Sequence, residues 1–263
     1  MPEQPLVELE IAGKVAQVRF NRPQALNALN FAMIDAMAAA LDEAERQARV
    51  LVLSGNGRAF CSGADLSGGF ACPAECDEEQ DCGAPLETHL NPLMARLRAL
   101  HIPWISAVHG AAAGGGAALG LAGDMVLATE DAQFVMAFAR IGLVPDSGIF
   151  HMLVRTIGRV RANEMMLLGG RFGGEQALEW GLVNRVVPGE RLMAEALELA
   201  QRIAEGPASL ATIRKLSWSA LDEDFAAMLR VEREAQRDSG RTQDFREGVC
   251  AFLEKRPPRF TGA

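Results

Sequence analysis

Two segments decide how this chain reads: LVLSGNGRAFCSGADL, residues 51–66, and AVHGAAAGGGAALGLAGD, residues 107–124. Each is entered by a short apolar run, VLVLSG (50–55) and WISAVHG (104–110), of the kind that forms a strand buried on both faces of a parallel sheet. Each then passes through a glycine-rich turn before a helix. At the C-terminal edge of a parallel sheet such turns face a crevice, and amides that a helix start leaves unpaired can point at an anion or a polarised carbonyl. Either turn alone also has a packing explanation: Gly114-Gly115-Gly116 lets a helix approach a strand, and Ser62-Gly63 makes a loop. Neither is a phosphate cradle, because GNGRAF (55–60) lacks the Lys-Ser or Lys-Thr ending of a P-loop and no GxGxxG opens a strand–helix unit. Nucleotide hydrolysis and NAD binding are therefore disfavoured.

Outward from these segments the α/β alternation continues. Val7 to Phe20 alternates around Ala12-Gly13-Lys14 and predicts a β-hairpin, and Phe31 to Ala48 has helical spacing with Asn30 as its N-cap. A helix over 91–101 ends before Pro103; a small-residue helix follows Gly114; MVLATE (125–130) and AQFVMA (132–137) read as strands. From residue 150 the pattern turns helical, in IFHMLVRTIG, RANEMMLLGG, GEQALEWG and RLMAEALELAQRIAEG, with glycines as stops. A two-part chain is expected: an α/β core over 1–195 and a helical region over 196–263.

The bulk properties narrow the function classes. A net charge of −8 and a pI near 5.2 argue against a protein whose main task is gripping nucleic acid or an anionic membrane. The opening MPEQPLVELE has no basic region followed by an apolar run, and no stretch reaches the roughly 18 apolar residues of a membrane span, so a cytoplasmic protein is expected. Three of the cysteines, Cys72, Cys76 and Cys82, share a Gly-, Pro- and acid-rich stretch without a CxxC pair, which reads as a mobile loop rather than a metal or redox site.

Six pieces in this order and at these intervals resemble the crotonase family, the enoyl-CoA hydratase/isomerase superfamily, over nearly the whole chain. They are NRPQALNAL (21–29), the two segments quoted first, FARIGLVPDSG (138–148), LLGGRFGGEQALEWGLVNRVV (167–187), read as helical, and EGVCAFLEKRPPRFTG (247–262). The resemblance implies a spiral of ββα units with a helical C-terminal trimerisation region, an acyl-coenzyme A thioester as substrate, and a homotrimer or dimer of trimers. It implies no metal and no cofactor beyond the coenzyme A of the substrate. It places the thioester oxygen between the amides of Ala64 and Gly115, the family's oxyanion hole. Coenzyme A would curl over Arg22, Ala25 and the segment from Ser62 to Leu66, with Asp65 and Leu66 on the adenine side and Phe252 and Lys255 reaching it from the end of the chain. Asp65 itself reads as a turn-capping residue.

The chemistry hinges on what accompanies the hole. Hydratases of this family carry two glutamates, and the matching positions here are Ala118 and Phe138. Adding water across a double bond takes a base and an acid, so their loss argues against hydration. Asp146, in the Pro-Asp-Ser-Gly turn, matches the aspartate of the family's isomerases, including the branch with the phenylacetate-pathway ring-epoxide isomerase. Dehalogenase members carry a nucleophile at the same position. One carboxylate suits an isomerase, which moves a proton between two carbons. Leu143, Val144, Ile149 and Phe138 are expected to bury Asp146 and raise its pKa. A dehalogenase, an enzyme that acts as a hydratase after all, and a catalytically silent CoA-binding relative remain as alternatives. His101, His109 and His151 read as packing or surface histidines, His151 being near Asp146 in sequence, and His89 lies near the dehalogenase histidine.

Overall fold

A computed structural model describes residues 4–67 and 81–263. The N-terminal hairpin pairs β1 (Val7–Ala12) with β2 (Val15–Phe20), antiparallel with Val7 opposite Phe20. Gly13, at φ 61°, makes the tight turn where a side chain would be strained. The Asn30 side chain accepts a hydrogen bond from the Met33 amide and so starts α1 (Phe31–Gln47), which buries Met33, Ile34, Met37 and Leu41 against the hairpin.

Three ββα turns follow. The first is β3 (Val50–Gly55), β4 (Ala59–Cys61) and α2 (Asn91–Ala99), the last preceded by a π-helical turn at Leu86–Leu90. The second is β5 (Trp104–Val108), β6 (Ala111–Ala113) and α3 (Gly115–Leu121). The third is β7 (Met125–Thr129), β8 (Gln133–Val135) and α4 (Ile149–Leu167), which breaks at Gly158 (φ 76°, ψ 157°) where the sequence signals a stop. Each turn adds one strand to a six-stranded sheet, ordered β1-β2-β3-β5-β7-β10, and one to a four-stranded sheet, ordered β4-β6-β8-β9. Here β9 is Arg171–Gly173 and β10 is Arg185–Val187, with α5 (Gly174–Glu179) between them. The pairings are parallel apart from β1 with β2 and β8 with β9. The crotonase-type α/β spiral is thus the fold of the chain.

The apolar strands are buried on both faces, as their composition requires. One face of the large sheet closes onto the main core; on the other, Val50, Val52, Ile105, Ala107 and Leu127 meet Leu192, Ala196, Leu199 and Ala200 of α6 (Leu192–Ala204). The 195/196 division drawn from composition lies inside α6, a helix whose apolar stripe covers the sheet. The helices beyond it are α7 (Ser209–Ser219), α8 (Phe225–Ser239) and α9 (Gln243–Glu254).

Residues 167–187, expected to be helical, contain β9 and β10 on either side of α5. Phe172 of β9 is buried and stacks on Phe134 of β8 with ring centroids 5.2 Å apart, so a sheet edge claims a segment too short to show strand alternation. In the Cys-containing stretch, residues 68–80 with Cys72 and Cys76 lie outside the described residues; Cys82 is exposed, with a free thiol.

Candidate active site

The two glycine turns meet at the junction of the sheets. Gly63, at φ 90°, lies so close to the second turn that a Cβ there would stand 2.6 Å from the Ala113 carbonyl oxygen and 3.5 Å from the Gly115 nitrogen. Only glycine fits that approach. Next to it, Leu29 donates to the Gly63 carbonyl (2.8 Å) and accepts from the Asp65 amide (2.8 Å), the pattern of a parallel bridge between Leu29 and Ala64. The Ala64 N–H therefore faces away from Leu29, and it has no acceptor among the described residues. Gly115 opens α3, and its N–H is likewise without an acceptor among the described residues, while Ala117 and Ala118 bond back to the Gly114 carbonyl at 3.0 and 3.1 Å. Two unpaired donors thus stand on adjoining turns.

Around Gly115 the walls are Leu90 Cδ2, Ser147 Oγ and Leu29 Cδ1, at 3.4, 3.5 and 3.7 Å from the position of a notional Cβ, and Phe138 Cζ stands 3.6 Å from that of Gly114. Ser147 is buried, adopts φ 55°, and donates its hydroxyl to Asp146 Oδ1 at 2.7 Å. Through Ser147, Asp146 is linked to the wall around Gly115. Burial pushes the Asp146 carboxyl above the ordinary carboxylate range, and the Ser147 hydroxyl opposes that rise in part. The expected source of enclosure needs correction. Phe138 and Ile149 are buried, but Leu143 and Val144 are 43% and 75% exposed because this stretch runs over the surface of the chain.

The segments holding Arg22, Ala25, Ser62, Asp65 and Leu66 lie side by side. Arg22 Nη1 bonds Asp65 Oδ2 at 2.5 Å and the Ala28 carbonyl at 3.2 Å, and Asp65 also accepts from the Ser67 amide and hydroxyl. Those Ser67 bonds and then Arg22 hold the Asp65 carboxyl below its usual range. Asp65 thus fixes the turn, as its sequence context suggests. Ala25 ends a short 3₁₀ turn, Ser62 donates its amide to Leu26, and the Leu66 side chain is exposed. The underlying brace is Asn27, fully buried at φ 54°: its Oδ1 accepts from the Arg22 amide, and its Nδ2 donates to the carbonyls of Asn56 and Ala59. Phe252 and Lys255 stand apart from this group. Phe252 is 83% exposed and lines an apolar groove formed by α7, α8 and α9, and Lys255 caps α9.

Other reactive groups are accounted for elsewhere. Burial pushes the Cys61 thiol up to about 12, so it is not a thiolate nucleophile. His89 stacks on Phe31, His101 is exposed beside Glu45, and His109 Nε2 faces the Gly57 carbonyl. His151 lines a cavity on the far side of Ser147. Among the described residues, no three His, Cys, Asp or Glu side chains cluster as a metal site, and no helix is long and apolar enough to cross a membrane. Sequence reasoning missed Ser147, hidden in a turn sequence, and Leu90, hidden in an irregular helical turn.

Comparison with known proteins settles the kinship of this arrangement. The model of a family described as enoyl-CoA hydratase/isomerase matches residues 10–263. The chain belongs to the enoyl-CoA hydratase/isomerase family. Among family members, the chain is 43% identical to the 1,2-epoxyphenylacetyl-CoA isomerase of Escherichia coli, over 94% of this chain and 95% of that one. It is 41% identical to a Rhodobacter capsulatus protein named "probable enoyl-CoA hydratase", over 97% and 98%. The crystal structure of enoyl-CoA hydratase from Bacillus anthracis superposes with a TM-score of 0.89 at 32% identity, covering 98% of this chain and all of that one (100%). This enoyl-CoA hydratase/isomerase family member is an acyl-CoA enzyme, and its relatives divide between the two activities.

Proposed function

We propose that the enzyme is an acyl-CoA isomerase that moves a double bond from the 3,4 to the 2,3 position, with Asp146 carrying the proton. The observation that carries this reading is the placement of Asp146. Through Ser147 the carboxylate is linked to the wall around Gly115, whose amide is unpaired among the described residues, while the positions that the family resemblance matches to the hydratase glutamates hold Ala118, fully buried, and Phe138. The thioester oxygen accepts from the Ala64 and Gly115 amides. Asp146 takes a proton from C2, leaving a dienolate (O–C1=C2–C3=C4) held by the two donors. Asp146 then returns the proton to C4, where the C3=C4 pair forms the new C–H bond as the C1=C2 pair becomes C2=C3 and the thioester carbonyl is restored. Donors fixed in advance act most strongly on charge that develops during the reaction, each being worth about 2.7–4 kcal/mol of barrier. A carboxyl whose pKa is raised is a stronger base for a carbon acid than an ordinary aspartate.

A second reading, opening of a ring epoxide next to the thioester, draws on the same enolate chemistry and is favoured by the similarity to the E. coli epoxide isomerase. Under either reading coenzyme A lies over Arg22, Ala25, Ser62, Asp65 and Leu66. Phe252 and Lys255, remote from that group within one chain, reach coenzyme A only in a homotrimer or dimer of trimers. In such an assembly the helical region over 196–263 supplies the contacts and the α/β region over 1–195 the chemistry.

Asp146→Asn tests the proposal. The expected result is a fall in kcat of roughly 10²–10⁴ with 3-enoyl-CoA substrates and retained binding of an unreactive acyl-CoA. Unchanged turnover would remove Asp146 from the mechanism. If the wild-type enzyme left both a panel of 3-enoyl-CoAs and the phenylacetyl-CoA epoxide untouched, the isomerase reading would fail.

A further inference from the structure

Behind Ser147 the chain forms a second space, open on one side, that the two-donor site does not use. It is a cavity of about 330 Å³ bounded by Asn91 and Met94 of α2, Ser147 and Met152 at the start of α4, and Trp218 of α7. That volume is at the small end for ligand pockets, which run to roughly 300–1,000 Å³. The cavity adjoins the site at Ser147, which faces both Gly115 and this space, and at Asn91, the chain neighbour of Leu90 that walls Gly115. Most of the lining is apolar, as an acyl group requires.

Asn91, Arg98, Ser147 and His151 are the polar exceptions, and among them His151 is the one with a buried nitrogen that has no hydrogen-bond partner among the described residues. His151 stands in the first turn of α4, on the cavity wall, and the unpaired nitrogen is its Nε2. The Asp222 carboxylate is 3.8 Å away, beyond bonding range, and Asp222 is already bonded to Arg98, which also lies over the Trp218 ring. A buried polar nitrogen left unpaired is costly, and the χ2 torsion that aims an imidazole is soft, so a turn of the ring brings this nitrogen to the cavity, where a ligand oxygen can pair with it. Burial together with the neighbouring Arg155 and Arg98 outweighs Asp222 and lowers the imidazole pKa, keeping the ring neutral and able to donate or accept.

We infer that this cavity receives the acyl group and that His151 is a specificity-determining residue, selecting a compact acyl chain or single ring that carries an oxygen at its far end over a plain hydrocarbon of the same size. The inference rests on the acyl-CoA reading of the site but not on which reaction follows. Its test therefore uses binding rather than turnover.

The probes are unreactive saturated thioesters in matched pairs: hexanoyl-CoA against 6-hydroxyhexanoyl-CoA, and cyclohexylacetyl-CoA against its 4-hydroxy counterpart, titrated by calorimetry into the full-length protein. The hydroxylated member of at least one pair is expected to bind about tenfold more tightly, the scale of one hydrogen bond made to an otherwise unpaired buried group. His151→Phe should abolish that ratio, and His151→Gln, which keeps a donor and an acceptor, should restore most of it. Ala95→Leu, on an exposed helix position at the cavity rim, should weaken all four thioesters while leaving free coenzyme A unaffected. A ratio of one in both pairs, or a ratio that survives in His151→Phe, overturns the inference while leaving the isomerase proposal standing. No binding of any CoA thioester would instead remove the acyl-CoA reading, and this cavity's role with it.

Discussion

Replacing Arg214 by Met should destabilise the enzyme severely at neutral pH and less so in mild acid. Arg214 is 4% exposed and spans two elements. Its Nε bonds Asp124 Oδ2 at 2.6 Å, and its other nitrogens bond the carbonyls of Leu97, Arg98 and Leu100, where α2 ends, at 2.7, 2.9 and 2.6 Å. Asp124 also accepts from the Trp104 amide at the start of β5 and from Trp218 Nε1 on α7. Met keeps much of the volume and removes the charge and every donor. Breaking a buried ion pair on one side costs about 3–5 kcal/mol, because the remaining charge stays buried without compensation. At roughly 2–4 °C per kcal/mol for a chain of this size, the melting temperature should fall by about 6–20 °C.

The sign of the pH dependence follows from Asp124. Burial pushes its carboxyl above the ordinary range even though Arg214 opposes that shift, so the folded state already holds the proton more tightly than the unfolded chain. A raised carboxyl pKa contributes stability that is present below the unfolded value and lost as pH rises through the folded one. Without Arg214 the folded pKa rises further, and the penalty at pH 8 should shrink as pH falls towards 5. Thermal melts of both proteins at equal protomer concentration, at pH 5 and pH 8, measure this. A loss below about 1 kcal/mol at pH 8, or a penalty that grows on acidification, would refute the argument. Asp124→Asn in the Arg214→Met background should recover part of the loss, since it removes the stranded charge.

Two further outcomes concern the chemistry. In Gly116→Ala the new Cβ would stand 2.2 Å from the Cys61 carbonyl oxygen, so α3 must retreat from β4 and carry the Gly115 amide with it. Steady-state kinetics should show kcat down by about 10²–10³, the value of one oxyanion donor. The pH–rate profile of the wild type should lose kcat/KM on its acid side at a pH above the ordinary carboxylate range, because the proposed base Asp146 must be ionised and its pKa is raised. Ser147→Ala deletes the hydroxyl that lowers that pKa, so the acid limb should move to higher pH; movement to lower pH would contradict the assignment.

Much of this could be read from the amino acids because the fold writes its core in periods. The β3 and β5 runs, the Asn30 cap and the Gly13 turn each appear as local patterns that packing then uses unchanged. Three-residue strands such as β9 carry no period, and their identity is decided by partners distant in sequence. The site divides in the same way. Gly63 and Gly115 stand out because glycine is conspicuous, whereas the link from Asp146 through Ser147 depends on a backbone twist at φ 55° that a Pro-Asp-Ser-Gly string shares with any surface turn. Arg214 gave no signal at all: its partners lie at residues 97–100 and 124, and a single arginine in a helical pattern reads as solvated surface.

The parts of this site also differ in how they can be inherited. The Ala64 and Gly115 donors are main-chain atoms, and no single-codon change deletes a peptide N–H except one to proline. The proposed proton carrier, Asp146, is a side chain, and positions 118, 138 and 146 can each be rewritten by point mutation while the main-chain donors proposed for the thioester remain in the sequence. A lineage built this way keeps its activated intermediate while exchanging what is done to it, which is how one scaffold can come to be shared by hydratases and isomerases.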